Sequence, residues 1–376
     1  MHYGLNDEQT MLKDSLEGWL ARHYKFEQER RLSTQAPSYS GEYWQQFAEM
    51  GWLGIGLPEE LGGTGFGSFE RMIIGESFGS RLVNEPYHST VALGGGLLLR
   101  AGSDAQKSKW LPRVASGAVK LAFAFAEKQS RYFLNCIATE AKKAGDAWHL
   151  TGEKIVVLDA PSADRLIVLA RTRGGLQDTD GLSLFLVDPK GPGVSVRSYS
   201  TVDDRRAADI VFEGAIAEDI MGAEGEAFAP VERVVDEAIT YLCAEGVGAM
   251  QALLDLTVAH AKTRAQFGQP IGNFQAIQHR LAEMRVQIEC ARAMTVYAAA
   301  TQDSPERARA ASAAKVQSGK SGRAVGRNAV QLHGGMGMTD ELPVGRYFKR
   351  LLMTETLLGD VAFHQQRFAS FPSALA

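Results

Sequence analysis

The sequence predicts an α+β protein whose domains follow the order helical, β-rich, helical. Apolar residues recur at helical spacing in the first and last parts of the chain, whereas the middle part holds short apolar runs separated by turn signals. A length of 376 residues also exceeds one typical domain. We expect an N-terminal helical domain over 1–118, a middle β domain over 119–222 and a C-terminal four-helix-bundle domain over 223–376.

Charge and cysteine usage restrict the classes of partner and the compartment. The net charge of −4 argues against nucleic acid or an anionic membrane as the main partner. Cys136, Cys243 and Cys290 are far apart and fit neither a metal site nor a disulfide framework, and the eight histidines do not cluster. Residues 1–20 hold no apolar signal-peptide core. We expect a cytoplasmic protein without a metal site or membrane span.

The N-terminal domain is predicted from helical spacing and breaker residues. Three leucines spaced four residues apart follow Asn6, which is a suitable N-cap. The glycine-rich segment Leu57–Gly67 is predicted to be a loop. Helical character resumes over Gly75–Leu99, and Ser108–Val114 is predicted to be a short helix or turn.

The middle domain is predicted from short runs rich in β-branched and aromatic residues. Turn signals such as Asp180-Gly181 separate these runs. Six short strands without intervening helices favour a small barrel or sandwich. The predicted strands are Leu121–Ala126, Trp148–Thr151, Lys154–Leu158, Arg165–Arg171, Leu182–Val187 and Asp209–Glu213.

The C-terminal domain is predicted from long apolar stripes. One stripe runs from Val231 to Val258, and Leu281, Met284 and Ile288 make another. A third helix is predicted over Pro305–His333, because the glycines that follow are a C-cap signal.

Two segments of the C-terminal domain carry the residue types of a nucleotide site. In Arg264–Gln278, the Arg264 guanidinium suits a pyrophosphate, glutamine amides suit polar edges, and two phenylalanines offer flat faces. The alternative is a plain turn between helices in which Arg264 caps carbonyl groups. In Gln331–Gly337, closely spaced glycines would let a phosphate approach backbone N–H groups, or they merely end a helix.

Taken together, these two segments and the basic run Arg346–Arg350 resemble the acyl-CoA dehydrogenase family. The predicted domain order matches the three-domain fold of that family over essentially the whole chain. The stretches Glu232–Ala238 and Ala313–Gln317 are most similar to the branch that contains the small subunit of a pimeloyl-CoA dehydrogenase.

The resemblance implies an FAD enzyme that oxidises an acyl-CoA to the trans-2-enoyl-CoA, with electron-transfer flavoprotein as acceptor. A carboxylate removes a proton from Cα while a hydride leaves Cβ for the flavin. The FAD would lie across a subunit interface of a homo- or hetero-oligomer. Its ADP half would be held by the neighbouring subunit's residues that correspond here to Arg264, Gln266, Phe267, Phe274, Gln275, Gln331, Gly334 and Gly335.

The positions that the family places around its own flavin ring depart from the family pattern. This chain has Ala126–Lys128 and Arg131–Phe133 where the family has Thr-Glu-Pro and Gly-Ser-Asp. By register, Val156 and Leu158 stand where the family has Trp and Ser or Thr.

The catalytic base is the third departure. Counting back from Arg367 puts Asp360 at the family's base position, whereas counting forward from Arg350 puts Gly359 there. The alternative base of some members falls on Ala238, with Glu237 one residue away. We take Asp360 as the candidate base.

Three interpretations follow. The chain is an acyl-CoA dehydrogenase, alone or as one subunit of a heteromer, with Asp360 as its base. Alternatively, it is a non-catalytic subunit that completes the FAD site of a catalytic partner. A flavin oxidase or monooxygenase on the same fold is a third possibility, because fold does not determine chemistry. The acyl group, whether fatty, diacid or steroid side chain, is not encoded in these motifs.

Overall fold

The computed structural model describes residues 4–372, which divide into two compact units. The first unit contains the described parts of Met1–Arg31, Ser68–Val83 and Ile239–Ala376. The second contains Leu32–Gly67 and Asn84–Ala238.

The helices follow the predicted distribution at both ends of the chain. A π-helical stretch, His88–Gly95, leads directly into the fifth helix. The helices are α1 (Asp7–His23), α2 (Phe26–Ser33), α3 (Gly41–Glu49), α4 (Ser68–Gly79), α5 (Gly96–Ala101), α6 (Asp104–Ala115), α7 (Phe228–Thr263), α8 (Gln275–Ala300), α9 (Arg307–His333), α10 (Val344–Thr356) and α11 (Val361–Ser370).

The strands lie between α6 and α7, apart from a short pair after α7. The predicted fold class, helical then β then helical, is therefore confirmed. The strands are β1 (Leu121–Ala124), β2 (Glu140–Ala144), β3 (Ala147–Leu158), β4 (Arg165–Arg171), β5 (Leu182–Val187), β6 (Val194–Ser200), β7 (Arg206–Ala217), β8 (Asp219–Met221), β9 (Ala265–Gln266) and β10 (Gln269–Pro270).

The second unit is built on an eight-stranded sheet. The strand order is β6-β7-β3-β2-β4-β5-β8, and β1 pairs parallel to β4. All residues of β5 are buried, as are all but the first of β4, because both faces of these strands are covered. Alternating side chains of β3 and β7, such as Leu150, Ile210 and Phe212, add to the same core.

The sequence located some strands accurately and missed others. β4 and β5 have the predicted bounds. The predicted strands Trp148–Thr151 and Lys154–Leu158 are a single strand, β3, which continues through Gly152. Three strands of the eight-stranded sheet were not predicted, namely β2, β6 and β8, and the short pair β9 and β10 was not predicted either. β2 and β6 are mostly exposed, so they lack the apolar pattern on which the prediction depended.

The first unit is a helical bundle in which α9 contacts α8, α10 and α11. Its core combines apolar residues of α7, α8, α9 and α10, including Met250, Met284, Val325 and Leu351. The predicted end of the third helix is confirmed, because α9 stops at His333 and the following glycine has a φ of 60°.

Two glycines allow α4 and α7 to cross at backbone contact. A Cβ at Gly79 would lie 1.9 Å from the Glu245 carbonyl oxygen, and one at Gly248 would lie 1.8 Å from that of Glu76. No residue with a side chain fits at either position without separating the helices.

Two predictions in the N-terminal region had different outcomes. Asn6 is the N-cap of α1, and it forms a capping box with Gln9. The helical character predicted over Gly75–Leu99 is interrupted, because α4 ends at Gly79 and helical structure resumes only at His88. The interruption, residues 80–87, contains Leu82 with a φ of 56° and Pro86, and neither fits the interior of a continuous helix.

Among the described residues, one helix has the length and hydropathy of a membrane span. This is α7, and 67% of its apolar window is buried inside the protein. A core helix of this length has the same composition, so the observation is weak evidence for a membrane.

Candidate FAD and active site

The segment that follows α7 is a β-hairpin with an exposed aromatic tip. β9 and β10 pair antiparallel, and Phe267 and Gly268 make the turn with φ angles of 54° and 80°. The Phe267 side chain is 92% exposed, and its ring meets that of Phe274 edge-on at a centroid distance of 6.1 Å. The broad face of Phe267 is therefore open to a ligand or a neighbouring chain.

Arg264 lies at the base of this hairpin with an exposed side chain. Its backbone N–H donates to the carbonyl of His260, and its carbonyl accepts from Ile271. Within residues 4–372, its guanidinium makes no hydrogen bond or ion pair. The alternative in which Arg264 caps carbonyl groups is therefore not what the structure shows, and the charge is available to an anion.

The second predicted segment leaves the end of α9 as an exposed glycine turn. Gln331, Gly334 and Gly335 are all exposed, and a Cβ at either glycine would meet nothing within 4 Å. Open space around the backbone is what close approach of a phosphate requires.

A pair of stacked histidines brings the two predicted segments together. The ring of His260, on the last turn of α7, stacks on the ring of His333, the last residue of α9, at 4.3 Å and 26°. The hairpin begins just after one histidine and the glycine turn just after the other. Of the predicted cofactor residues, all are exposed except Phe274, which is half-buried.

The candidate base stands at the junction of α10 and α11. Asp360 is the N-cap of α11, and its Oδ1 accepts from the N–H of Phe363 at 2.8 Å. The preceding residues, Leu358 and Gly359, have φ angles of 58° and 115°. A Cβ at Gly359 would lie 2.5 Å from Nε2 of His364, so this turn is closely packed.

Two buried side chains hold the turn that carries Asp360. The Lys315 ammonium donates to the carbonyls of Thr354 at 2.5 Å and Glu355 at 2.7 Å, and burial lowers its pKa to about 8. Nε2 of His364 lies 2.9 Å from the Leu358 carbonyl, and because a carbonyl only accepts, that nitrogen carries the hydrogen.

His364 is a neutral imidazole in this setting. Burial and the nearby charge of Lys315 lower its pKa to about 3. With hydrogen on Nε2, its Nδ1 accepts from the Ser312 hydroxyl at 3.3 Å. Neither Lys315 nor His364 was singled out from the sequence, because nothing in the local pattern distinguishes a buried lysine on a helix from a solvated one.

In the second unit, Glu127 belongs to a buried ion pair. Its Oε1 accepts from the Lys154 ammonium at 2.6 Å, and both side chains are at most 3% exposed. Burial alone would raise the pKa of Glu127, but Lys154 and the N–H of Ala138 outweigh it and hold the pKa below its usual value. This carboxylate therefore fixes the local chain and has little capacity left for other chemistry.

Val156 occupies an unusual backbone conformation in β3. Its φ is 52°, its side chain is 43% exposed, and it lies where the register between β3 and β7 shifts. Its N–H donates to Asp209, which also accepts from the Tyr199 hydroxyl. A β-branched residue with positive φ is a genuine outlier, and such outliers concentrate at functional sites.

The alternative base position offers no available carboxylate. Glu237 has a buried side chain that accepts from Arg100 at 2.8 Å and from Arg233 at 3.1 Å. The neighbouring Ala238 has no acid. Asp360 therefore remains the candidate base.

The basic run in α10 forms ion pairs with carboxylates. Arg346 pairs with Glu29 at 2.6 Å, and Arg350 pairs with Glu245 at 2.9 Å. Both pairs are largely buried and connect α10 to other helices of the first unit.

The whole chain is similar to proteins of known class. It matches models of the acyl-CoA dehydrogenase N-terminal domain over residues 6–118, middle domain over 122–215 and C-terminal domain over 231–369. It is 31% identical to a 3-(aryl)acrylate reductase of Clostridium sporogenes, covering 87% of this chain and 88% of that protein. It is 28% identical to an acyl-CoA dehydrogenase, FadE12, of Mycobacterium tuberculosis, covering 95% and 92%.

A solved complex contains a chain with the same fold. The ChsE4–ChsE5 complex from Mycobacterium tuberculosis contains a chain that superposes with a TM-score of 0.89 at 26% identity, covering 99% of this chain and all of that one. With an open guanidinium, an exposed aromatic face and unobstructed glycines on one surface, the residues present fit the ADP half of a flavin cofactor.

The chain belongs to the acyl-CoA dehydrogenase family. It is an FAD-dependent oxidoreductase of the class that acts on CH–CH groups.

Proposed function

We propose that this chain is a subunit of an assembly that desaturates an acyl-CoA between Cα and Cβ. It would contribute the hairpin of Arg264 and Phe267 and the glycine turn of Gly334 to the ADP half of an FAD whose flavin ring lies in a neighbouring chain. The observation that carries this proposal is the tip of the hairpin. Phe267 is 92% exposed on a turn residue with positive φ, and its edge-on contact with Phe274 is the one ring contact that its own chain provides among the described residues.

Each residue would act on the cofactor through its ordinary chemistry. Arg264 would donate charge-assisted hydrogen bonds to the pyrophosphate. The backbone N–H groups at Gly334 and Gly335 would approach the same anion, and Phe267 would cover a flat ring. FAD, when bound, accepts the hydride that leaves Cβ.

Asp360 would remove the Cα proton. A carboxylate within hydrogen-bond reach of Cα is the group that this step requires. The turn held by Lys315 and His364 would fix where that carboxylate stands. Electron-transfer flavoprotein is the acceptor that we propose for the reduced cofactor.

A second candidate function is favoured by one specific observation. Oδ1 of Asp360 already accepts from the N–H of Phe363 as an N-cap, so this carboxylate has a structural role that is independent of catalysis. A chain in which Asp360 only caps α11 would be the supporting subunit of a catalytic partner, as the altered positions Val156 and Leu158 also suggest.

The test uses the assembly purified with its partner chains and its bound FAD. Butyryl-, octanoyl- and glutaryl-CoA are added without oxygen, and the loss of flavin absorbance is followed. We expect at least one of them to bleach the flavin. Bleaching by none would contradict the desaturation proposal, and rapid peroxide formation in air would favour an oxidase.

The cofactor part of the proposal is tested by Arg264→Ala. We expect the FAD affinity to fall at least tenfold, because a charge-assisted bond to the pyrophosphate is worth about 1.5–3 kcal/mol. The variant should therefore lose FAD on gel filtration. Arg22→Ala is the matched control, since Arg22 is exposed and bonds only within α1. Retention of FAD by both variants would remove Arg264 from the site.

A further inference from the structure

The stacked rings of His260 and His333 lie between the two predicted cofactor segments. His260 stands four residues before Arg264, whose N–H donates to its carbonyl at 2.8 Å. His333 is buried and immediately precedes Gly334. The two rings, 4.3 Å apart, thus join the root of the hairpin to the root of the glycine turn.

The contacts of the two rings differ. Nδ1 of His333 lies 2.9 Å from the Ala329 carbonyl and carries a hydrogen, because a carbonyl only accepts. The charged or titratable groups that face His260 are His333 from α9 and Arg264 from the hairpin. Burial first, and then these two groups, lower the pKa of His260 below its usual value.

We propose that His260 and His333 are positioning residues, whose stacked rings hold the hairpin and the glycine turn as one surface for the ADP half of FAD. This inference rests on the proposed function, since it assumes that both segments grip the same cofactor. A proton on His260 would place a second positive charge beside the Arg264 guanidinium, and the repulsion would weaken the stack and move the two segments apart.

The sign of the pH effect follows from the lowered pKa. A histidine whose pKa is lowered by folding takes up a proton more readily in the unfolded chain than in the stacked state of the folded protein. The stack is therefore fully favoured above the ordinary histidine pKa of about 6.5 and weakens as the pH falls below it. One coupled proton changes an affinity by at most about tenfold per pH unit.

The experiment measures the FAD affinity of the purified assembly at pH 7.5 and pH 5.5. For the wild-type chain we expect weaker binding at pH 5.5, by about threefold or more. His260→Phe keeps an aromatic face but takes up no proton, so its FAD affinity should lose most of this pH dependence. His260→Ala removes the stack, so it should bind FAD more weakly than His260→Phe at pH 7.5.

A second readout does not depend on bound cofactor. Hydrogen exchange of the hairpin peptide 264–271 in the FAD-stripped protein should be faster in His260→Ala than in His260→Phe. This comparison detects the positioning effect even where a variant assembles poorly.

The results distinguish a failure of the histidine positioning role from a failure of the proposed ADP site. If Arg264→Ala releases FAD while the wild type and His260→Phe share one pH profile, the positioning role is overturned and the ADP site stands. Tighter FAD binding at pH 5.5 would also overturn it. If Arg264→Ala keeps FAD with wild-type affinity, the proposed ADP site fails, and the inference fails with it.

Discussion

At the scale of single residues, Asp360 combines two roles that are usually separate. As the N-cap of α11 it satisfies the N–H of Phe363, and as a carboxylate it is the candidate base. Asn and Asp are about equally good N-caps, whereas Ala costs roughly 1 kcal/mol at that position. This equivalence makes it possible to remove the charge without removing the cap.

Asp360→Asn should therefore abolish bleaching of the flavin by acyl-CoA while leaving FAD content and the thermal unfolding midpoint nearly unchanged. Asp360→Glu should retain or raise activity, because its added methylene extends the reach of the carboxylate by roughly 1.5 Å. A misplacement of about 1 Å can cost on the order of a hundredfold in rate.

The measurement is anaerobic stopped-flow flavin reduction in the assembled protein. Turnover that Asp360→Asn does not affect would make Asp360 a structural cap only, and this chain the supporting half of the enzyme. Asp360→Ala gives the matched stability control, because it loses both the charge and the cap.

At the scale of elements, the turn of the hairpin after α7 has a backbone conformation that does not favour its phenylalanine. Its two turn residues, Phe267 and Gly268, both have positive φ, as in the tightest two-residue hairpin turns, where Asn-Gly is the favoured pair. A phenylalanine in the left-handed region costs about 1–2 kcal/mol relative to the right-handed form. Here that residue is also almost fully exposed.

Phe267→Asn should therefore have opposite effects on stability and on cofactor binding. The unfolding midpoint should stay constant or rise, because Asn tolerates the left-handed conformation. FAD affinity should fall by about twofold to twelvefold, the range expected from losing an aromatic contact of about 0.5–1.5 kcal/mol.

Differential scanning calorimetry and FAD titration measure the two effects. Met11→Asn is the matched control, since Met11 is an apolar side chain, 72% exposed, on α1 of the same unit. A lower unfolding midpoint in Phe267→Asn without a change in FAD affinity would mean that Phe267 serves the fold rather than the cofactor.

At the scale of the whole molecule, α8 presents an apolar stripe that its own chain leaves exposed. The stripe consists of Ala282, Val286, Cys290, Ala293 and Tyr297. Because successive residues of a helix are 100° apart, these five side chains fall within an arc of about 80°. Val286 is 58% exposed and Tyr297 is 40% exposed.

We expect the protein to be at least a dimer, because the proposed cofactor site is shared between two chains, and we expect this stripe to form part of the contact. Val286→Arg should shift the assembly toward smaller species in light scattering at micromolar concentration. Met11→Arg, at an even more exposed apolar residue of α1, should not. A wild-type protein that is monomeric with FAD bound would contradict the assembly on which the proposed cofactor site depends.

The sequence by itself determined the features that depend on local pattern. Helical periodicity and a glycine stop placed the end of α9 at His333, and continuous apolar runs placed β4 and β5. The chemistry of single side chains and the family resemblance then selected the exposed residues of the hairpin and the glycine turn. These properties can be seen from near neighbours in the chain.

Tertiary structure alone decided the features that depend on distant partners. β2 has a polar, mostly exposed sequence, and it is a strand because β3 and β4 supply its hydrogen bonds. Lys315 and His364 hold the turn of Asp360 only because folding buries them beside it. The stack of His260 on His333 joins two helix ends that are remote in sequence, and the sequence carries no local signal of it, because the energy of such a contact arises only once the chain has closed the distance.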